Sequence, residues 1–588
     1  MFYRYCLLLG VILLTSFSIH ANKIVVTTAD QLEDAVAVVQ AGDTVEVADG
    51  VYVTDGSITV TASGTEQEPI VIRAANIGMV EFTGESYFDF RQCEWIVLEG
   101  FLFTSLDETV VKLQACNNIR ITRNTFRLQE TGSLKWVIIQ GIWNDPNAIS
   151  HHNRIDHNLF ENKLQTGNCI TIDGTPDPTY LSSQYDRIDH NHFRNVGPRA
   201  TNEKEAIRIG WSEMSMSSGY TTVEYNLFEE CDGDPEIVSV KTCDNTIRYN
   251  TFRRSKGTLS LRHGNRNVVD GNFFLGEGKE GTGGIRVYGD DHIITNNYFE
   301  GLTGNTWDAP IALTNGDYDG GGSLSRHFRI NRAVIAHNTL VNNRHHIEIG
   351  FTNNGNYTKP PRDVKIWNNL VLGKQNDLVE VFTQPVNMTW LGNLMFADSM
   401  ASPGINLTEA EIRYADPLLE QVSDLWKLSA SSPAIDSATA ISLSLPMDMD
   451  GQDRDMFADV GADEYSTASV LRRPLLPEDV GPFASDIVTG IDNNFTTVSA
   501  IAEFELFSNY PNPFNPSTNI RFSLQKSSWV DVEIYDLRGG LVETLISGQR
   551  SAGTFNVRWD AQHKASGIYL VRLKTDFGES TRKVMLLK

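Results

Sequence analysis

Residues 226–276, NLFEECDGDPEIVSVKTCDNTIRYNTFRRSKGTLSLRHGNRNVVDGNFFLG, hold many of the side chains best suited to chemistry. Lys241 precedes Asn250 by 9 residues, Arg262 precedes Asn272 by 10, and Arg286 precedes Asn297 by 11. If those asparagines mark equivalent points on successive turns of the chain, the three cations share nearly one phase and form a stripe. Like charges so aligned repel, which implies an anion for them to hold. Beside the stripe, Asp234 and Glu236 are two residues apart and fall on one face of a strand. Such a pair suits either a hard cation such as calcium or the acid and base of glycoside hydrolysis. Strict alternation puts Lys241, five residues past Glu236, on the opposite face, and this predicts a bend or bulge near Val238–Val240.

The elements that would position these groups are written in a repeat. From about residue 95 to 400 a short β-rich run ends in Asn, one residue and usually Phe, as in IRITRNTF, RIDHNLF, RIDHNHF, TVEYNLF, TIRYNTF and IITNNYF. The asparagines are Asn124, Asn158, Asn191, Asn226, Asn250, Asn272, Asn297, Asn338 and Asn369, spaced by 34, 33, 35, 24, 22, 25, 41 and 31. The short spacings are one coil and the long ones a coil plus an inserted loop. Periods of this length, short strands, Gly, Asn and Asp turns and no amphipathic helical pattern predict a parallel β solenoid. Asn at each corner is expected to take the left-handed conformation and to bond up the ladder, with the Phe stacked inside.

The ends of the repeat are also marked. Residues 26–52 read as a strand, a short amphipathic helix with Leu32, Ala35 and Val36 on one face, and the first coil, so that the helix caps the solenoid. DPLL, SPAID and DVGADEY, within residues 416–465, read as closing coils, and DMDGQDRD (448–455), short of a full calcium loop, as a turn among them. Residues 466–503 lack periodicity and read as a linker, and 504–588 alternate in strand-like runs that suggest a small antiparallel β-sandwich. The fold class expected is all-β: a right-handed parallel β-helix over residues 22–465, then the sandwich.

Hydrophobic residues make up 41% of the 588 and charged residues 21%, enough apolar material for an extended core. A net charge of -25 argues against a nucleic-acid partner and requires any groove for a polyanion to be locally basic. Residues 1–21 carry Arg4, an apolar run from Cys6 to Leu14 and Ala21 at a cleavage point, and are read as a secretory signal peptide. Cys93, Cys116, Cys169, Cys231 and Cys243 then remain, an odd and scattered set that is read as buried thiols and not as a disulfide framework or zinc site.

The strings NEKEAIRIG (202–210), GDPEIVSVK (233–241), LRHG (261–264) and GGIRVYGDDHIITNNYFEG (283–301), in that order, resemble polysaccharide lyase family 6, the family of alginate lyases and of chondroitinase B type enzymes. The resemblance covers about residues 24–465 and implies calcium-assisted β-elimination on a uronate-containing acidic polysaccharide. Alginate is the substrate preferred on family grounds, and a dermatan sulfate lyase is the alternative. It implies that Lys241 is the general base, that Arg262 acts on the leaving-group side, and that Asn202, Asp234 and Glu236 bind Ca2+. Arg286 matches a substrate-binding arginine by position. Arg208 and His263 join it as substrate-binding candidates, although a strand neighbour of Arg262 should face away from it. Asp234 stands where the family usually carries Glu. The tail, from FELFSNYPNPFNPST through SGIYLVRL to RKVMLLK, resembles the sorting domain of type IX secretion, which implies export from a Gram-negative cell through that machinery. Two other readings stay open: a pectinase-like hydrolase using Asp232, Asp234 or Glu236, and a noncatalytic polysaccharide-binding solenoid.

Overall fold

The computed structural model describes residues 22–484, apart from 55, 107, 108, 144, 178 and 320–322, and residues 504–587, apart from 507, 508, 510–513, 525, 537–539 and 552. The signal peptide reading and the linker residues 485–503 lie outside these described residues. Two compact units result, one reaching to Asn493 but without Ala440–Leu445, and one made of those six residues and the C-terminal stretch from Asn494.

The first unit is a parallel β-helix. Each coil adds one strand to each of three sheets of 14, 12 and 14 strands, and every neighbour pair in them is parallel. One coil runs Glu236–Val240, Thr246–Arg248 and Thr251–Arg253. The strands are three to five residues long there because corners must recur within the repeat, and Val and Ile facing the axis fill a continuous core. The helix Ala29–Val38 starts the solenoid, with Leu32, Ala35 and Val36 buried and the Thr28 hydroxyl accepting from the Gln31 N–H.

The Asn–Phe phrase forms two ladders. Asn124, Asn158, Asn191, Asn226, Asn250, Asn272, Asn297 and Asn338 each donate from Nδ2 to Oδ1 of the next at 3.0–3.1 Å, and Asn369 passes the ladder on to Asn393. Inside it Phe126, Phe160, Phe193, Phe228, Phe252, Phe274 and Phe299 stack at 4.6–4.9 Å. The left-handed residue is not the asparagine, as expected, but the one before it: Arg123, His157, His190, Tyr225, Tyr249, Gly271, Asn296, His337 and Asn368 have φ of 52–63°. The corner thus turns the asparagine inward, where its amide meets backbone carbonyls, and sends its predecessor's side chain outward.

The segments expected as closing coils differ most. The last strand of the solenoid is Ile412–Tyr414. Leu419–Val422 and Leu425–Leu428 then form an antiparallel hairpin, and Leu425, Met449 and Ala462 pack on the outer side of Phe273, Tyr298 and Val341. Pro446–Ala484 runs back along the corners: Gly461 N–H reaches Asn368 O, Asn296 Nδ2 reaches Met447 O, the Arg472 guanidinium lies 4.0 Å over the Tyr249 ring, and Arg123 donates to Pro482 O and Ala484 O. A strand pattern cannot foretell this strap, because its partners are distant in sequence.

In the second unit a three-stranded and a four-stranded antiparallel sheet enclose a core that includes Phe522, Val532, Trp559 and Leu573. Trp559 is buried and Trp529 is exposed.

Candidate functional site

The 12-stranded sheet carries the site on its outward face. Its register sets Thr171, Arg208, Ser239, Ser260, Arg286, Ala312, Glu348 and Glu380 in one row across successive coils. Two residues further along the chain, Lys241 and Arg262 follow the paired residues Val240 and Leu261 and so stand side by side. The third member of that row is Tyr288, after Val287, and not Arg286. Arg286 shares the face but sits two residues back, because the phase count from the asparagine ladder tolerated a two-residue slip. The expected bulge is present, between Glu236 and Val238, just ahead of the stretch where it was placed. It lets Glu236 and Lys241 act on one site.

Glu236 is the hub. Its Oε1 lies 3.5 Å from Arg286 Nη1 and 3.7 Å from Arg262 Nε, and its Oε2 accepts from Ser239 Oγ. Burial pushes its carboxyl up, but Arg286, Lys241 and Arg262 outweigh this and hold it below the usual carboxylate range. Arg286 also donates to Trp307 O at 3.0 Å and to Asp308 Oδ1 at 2.8 Å, so the short helical turn Thr306–Asp308 fixes it. Arg208 donates to Asp173 Oδ1 at 3.0 Å, three coils from Arg286 in the row.

Asp234 is buried, and its two oxygens accept from the N–H groups of Lys204 and Glu236. Burial pushes its pKa up to about 6. Sequence reasoning missed Glu205, although it lies within the NEKEAIRIG string. It is 1% exposed, its Oε1 is 3.9 Å from Lys241 Nζ, and its Oε2 accepts from Asn168 Nδ2. Burial and then the charge of Asp234 push Glu205 up to about 7, against the pull of Lys241. Asn202 is exposed in the turn before it. Two buried carboxyls, Glu205 and Asp234, and the part-buried Glu236, with oxygen donors only, are a set that a hard cation would relieve. Among the described residues, the tight groups of metal-ligating atoms are elsewhere: His345, Glu348 and Glu380, and Asp448, Asp450 and Asp463. In the second of these Lys427 already pairs with Asp450 and lies 3.9 Å from Asp463, so its own ammonium serves as the cation.

His263 does not turn away from Arg262. The strand ends at Leu261, alternation lapses, and Nε2 lies 3.3 Å from Arg262 Nη1 and 3.2 Å from Ser212 Oγ. Burial, then Arg262 and Lys241, push its pKa down to about 2, so the ring is neutral and offers a lone pair to the guanidinium. Tyr288, pushed up to about 12 by burial, lies with its ring 6.0 Å from the Arg262 guanidinium. A cation pair thus stands over a carboxylate, held by neutral groups at its sides, which is a geometry for receiving an anion and moving a proton.

Residues 26–421 match the chondroitinase B family, and residues 508–587 match the secretion-system C-terminal sorting domain. No curated protein matches the chain. Among solved structures, that of the family 6 alginate lyase AlyGC is 29% identical with a TM-score of 0.61, over 70% of this chain and 55% of that one. A mannuronic acid specific family 6 lyase from the human gut microbiota is 26% identical, TM-score 0.54, over 67% of this chain and 91% of its own. A family 6 polysaccharide lyase from Pseudopedobacter saltans, 21% identical with a TM-score of 0.52 over 68% of this chain and 97% of its own, shares the fold. The aligned part of this chain therefore spans only about half of AlyGC. With the family match covering most of the solenoid and the sorting match the tail, the chain is a secreted or cell-surface protein that belongs to the chondroitinase B family, polysaccharide lyase family 6.

Proposed function

We propose that the chain cleaves a uronate-containing acidic polysaccharide, alginate, by β-elimination, leaving an unsaturated sugar at the new end. The supporting observation is the register that sets Lys241 beside Arg262, with Glu236 in reach of Arg262 and Glu205 in reach of Lys241. Alginate is preferred to dermatan sulfate because AlyGC and the gut enzyme, both above a quarter identical, act on alginate or mannuronic acid by their descriptions.

The proton at carbon 5 of a uronate is hard to remove, because its loss adds charge beside a carboxylate. Calcium, held by Glu205, Asp234 and Glu236 with the neighbouring Asn202, would neutralise that carboxylate. Lys241, as the neutral amine, takes the proton. Arg262 keeps its own proton and stabilises the departing oxygen, to which water delivers one, while neutral His263 holds the guanidinium in place. Arg286 and Arg208, each tied to an aspartate, bind the chain's carboxylates to either side. In this reading residues 22–484, with the strap that closes the solenoid in place of the expected boundary at 465, are the lyase, 485–503 join it to the tail, and 504–588 engage the type IX secretion machinery.

The test is a panel of alginate, dermatan sulfate and pectate followed by ultraviolet absorbance. A rise on alginate is expected. A rise on dermatan sulfate alone transfers the reading to that substrate, and new reducing ends without absorbance would make the chain a hydrolase.

A further inference from the structure

The outward row of the 12-stranded sheet does not end at Arg286. One strand beyond it lies Ala312, then Glu348, then Glu380 in direct register with Glu348. His345, three residues before Glu348, places Nδ1 2.9 Å from Glu348 Oε1 and 3.9 Å from Glu380 Oε2. One ligand atom from each of the three lies within 4.8 Å of the others. The exposures grade from Glu348 at 2% through His345 at 17% to Glu380 at 41%, so the group is closed at Glu348 and open to solvent at Glu380.

The contact between His345 and Glu348 is as short as a hydrogen bond without being aligned as one. Glu348 Oε1 is buried and has no hydrogen-bond partner among the described residues, while its Oε2 is fixed by the Thr306 N–H at 2.6 Å. An imidazole nitrogen and a carboxylate oxygen that approach without facing each other converge on a third point. One imidazole and two carboxylates are a donor set for a divalent transition metal of the zinc type, and three protein ligands leave a position open.

We infer that His345, Glu348 and Glu380 bind a divalent transition-metal ion, and that a carboxylate of the bound acidic chain completes its coordination. Two strand spacings, about 10 Å, separate Glu348 from Arg286, so the metal sits along the groove from the reacting sugar and takes no part in proton transfer. The second half of the inference rests on the polyuronate reading above; the first does not.

Zinc is titrated calorimetrically into the full chain, stripped with chelator and then kept in excess calcium. One zinc per chain is expected, with His345→Gln and Glu380→Gln each weakening it tenfold or more at unchanged melting temperature. No uptake, or equal affinity in both variants, overturns the site, and Glu380→Gln, being at the exposed end, keeps the test valid should His345→Gln fail to fold. The titration is repeated on Lys241→Ala with an alginate oligomer present. Zinc affinity should rise several-fold, as linkage demands of a shared ligand. Unchanged affinity removes the substrate carboxylate from the site. Neither arm needs turnover, so the outcome is separable from that of the lyase reading.

Discussion

The asparagine corner and the outward face of the 12-stranded sheet belong to the same coils, yet they treat polar groups in opposite ways. At the corner every buried amide is answered: Asn250 accepts from the N–H and Nδ2 of Asn226 and donates to Val223 O, Arg248 O and Asn272 Oδ1. On the face, Glu205 and Asp234 are buried with their pKa values pushed up, and Lys241 has its nearest acidic oxygen, among the described residues, at 3.9 Å. A repeat that satisfies itself at one corner can leave charge unmet at another, and the unmet charge is where a ligand gains most.

This contrast can be tested by changing each side separately. Lys241→Ala and Arg262→Ala should each lower elimination by about 10²–10⁴-fold while the melting temperature stays put, because neither side chain fills the core; a variant with near-normal turnover would remove that residue from the chemistry. Next in size, chelator should abolish activity and calcium restore it, with Asp234→Ala raising the calcium needed for half-maximal rate by about tenfold. At the corner the pattern inverts. Asn250→Ala strands the buried Asn226 N–H and should cost about 3 kcal/mol in denaturant unfolding, with turnover of the folded fraction unchanged.

A smaller effect concerns pH. Glu205 and Asp234 have folded pKa values raised to about 7 and about 6, so between the unfolded carboxylate value and these the folded state binds more protons. Their contribution to stability is therefore fully present at low pH and is lost as pH rises through the raised values. Calcium should recover it, so the calcium-induced rise in melting temperature should be larger near pH 8 than near pH 5; an equal rise at both would place the ion elsewhere. Smallest of all, removing 504–588 should leave turnover within about twofold, since each unit has its own core, while release from the cell stops.

Much of the corner was legible because it repeats. Nine asparagines, seven of them with a Phe two residues on, marked both ladders and their order. The face was legible only in part, since its residues break the repeat. Lys241 and Arg262 could be aligned by counting, but counting could not separate Arg286 from Tyr288, two residues apart on one face. Glu205 carried no periodic mark, and only its burial against Asp234 exposes its part in the site. His345 and Glu348 lie together in RHHIEIG, but Glu380 joins them through strand register alone.

The strap also bears on how the molecule comes apart. A plain stack of coils is held by nearest neighbours, so its ends can fray while its middle stands. Here Pro446–Ala484 binds the outward corner residues from Asn368 back to Arg123, which ties coils that are far apart in sequence to one another. Loosening one corner weakens the hold on the rest, and a linear spring becomes a clasped one. The clasp also follows the coils in sequence, so every corner it binds has been synthesised before it.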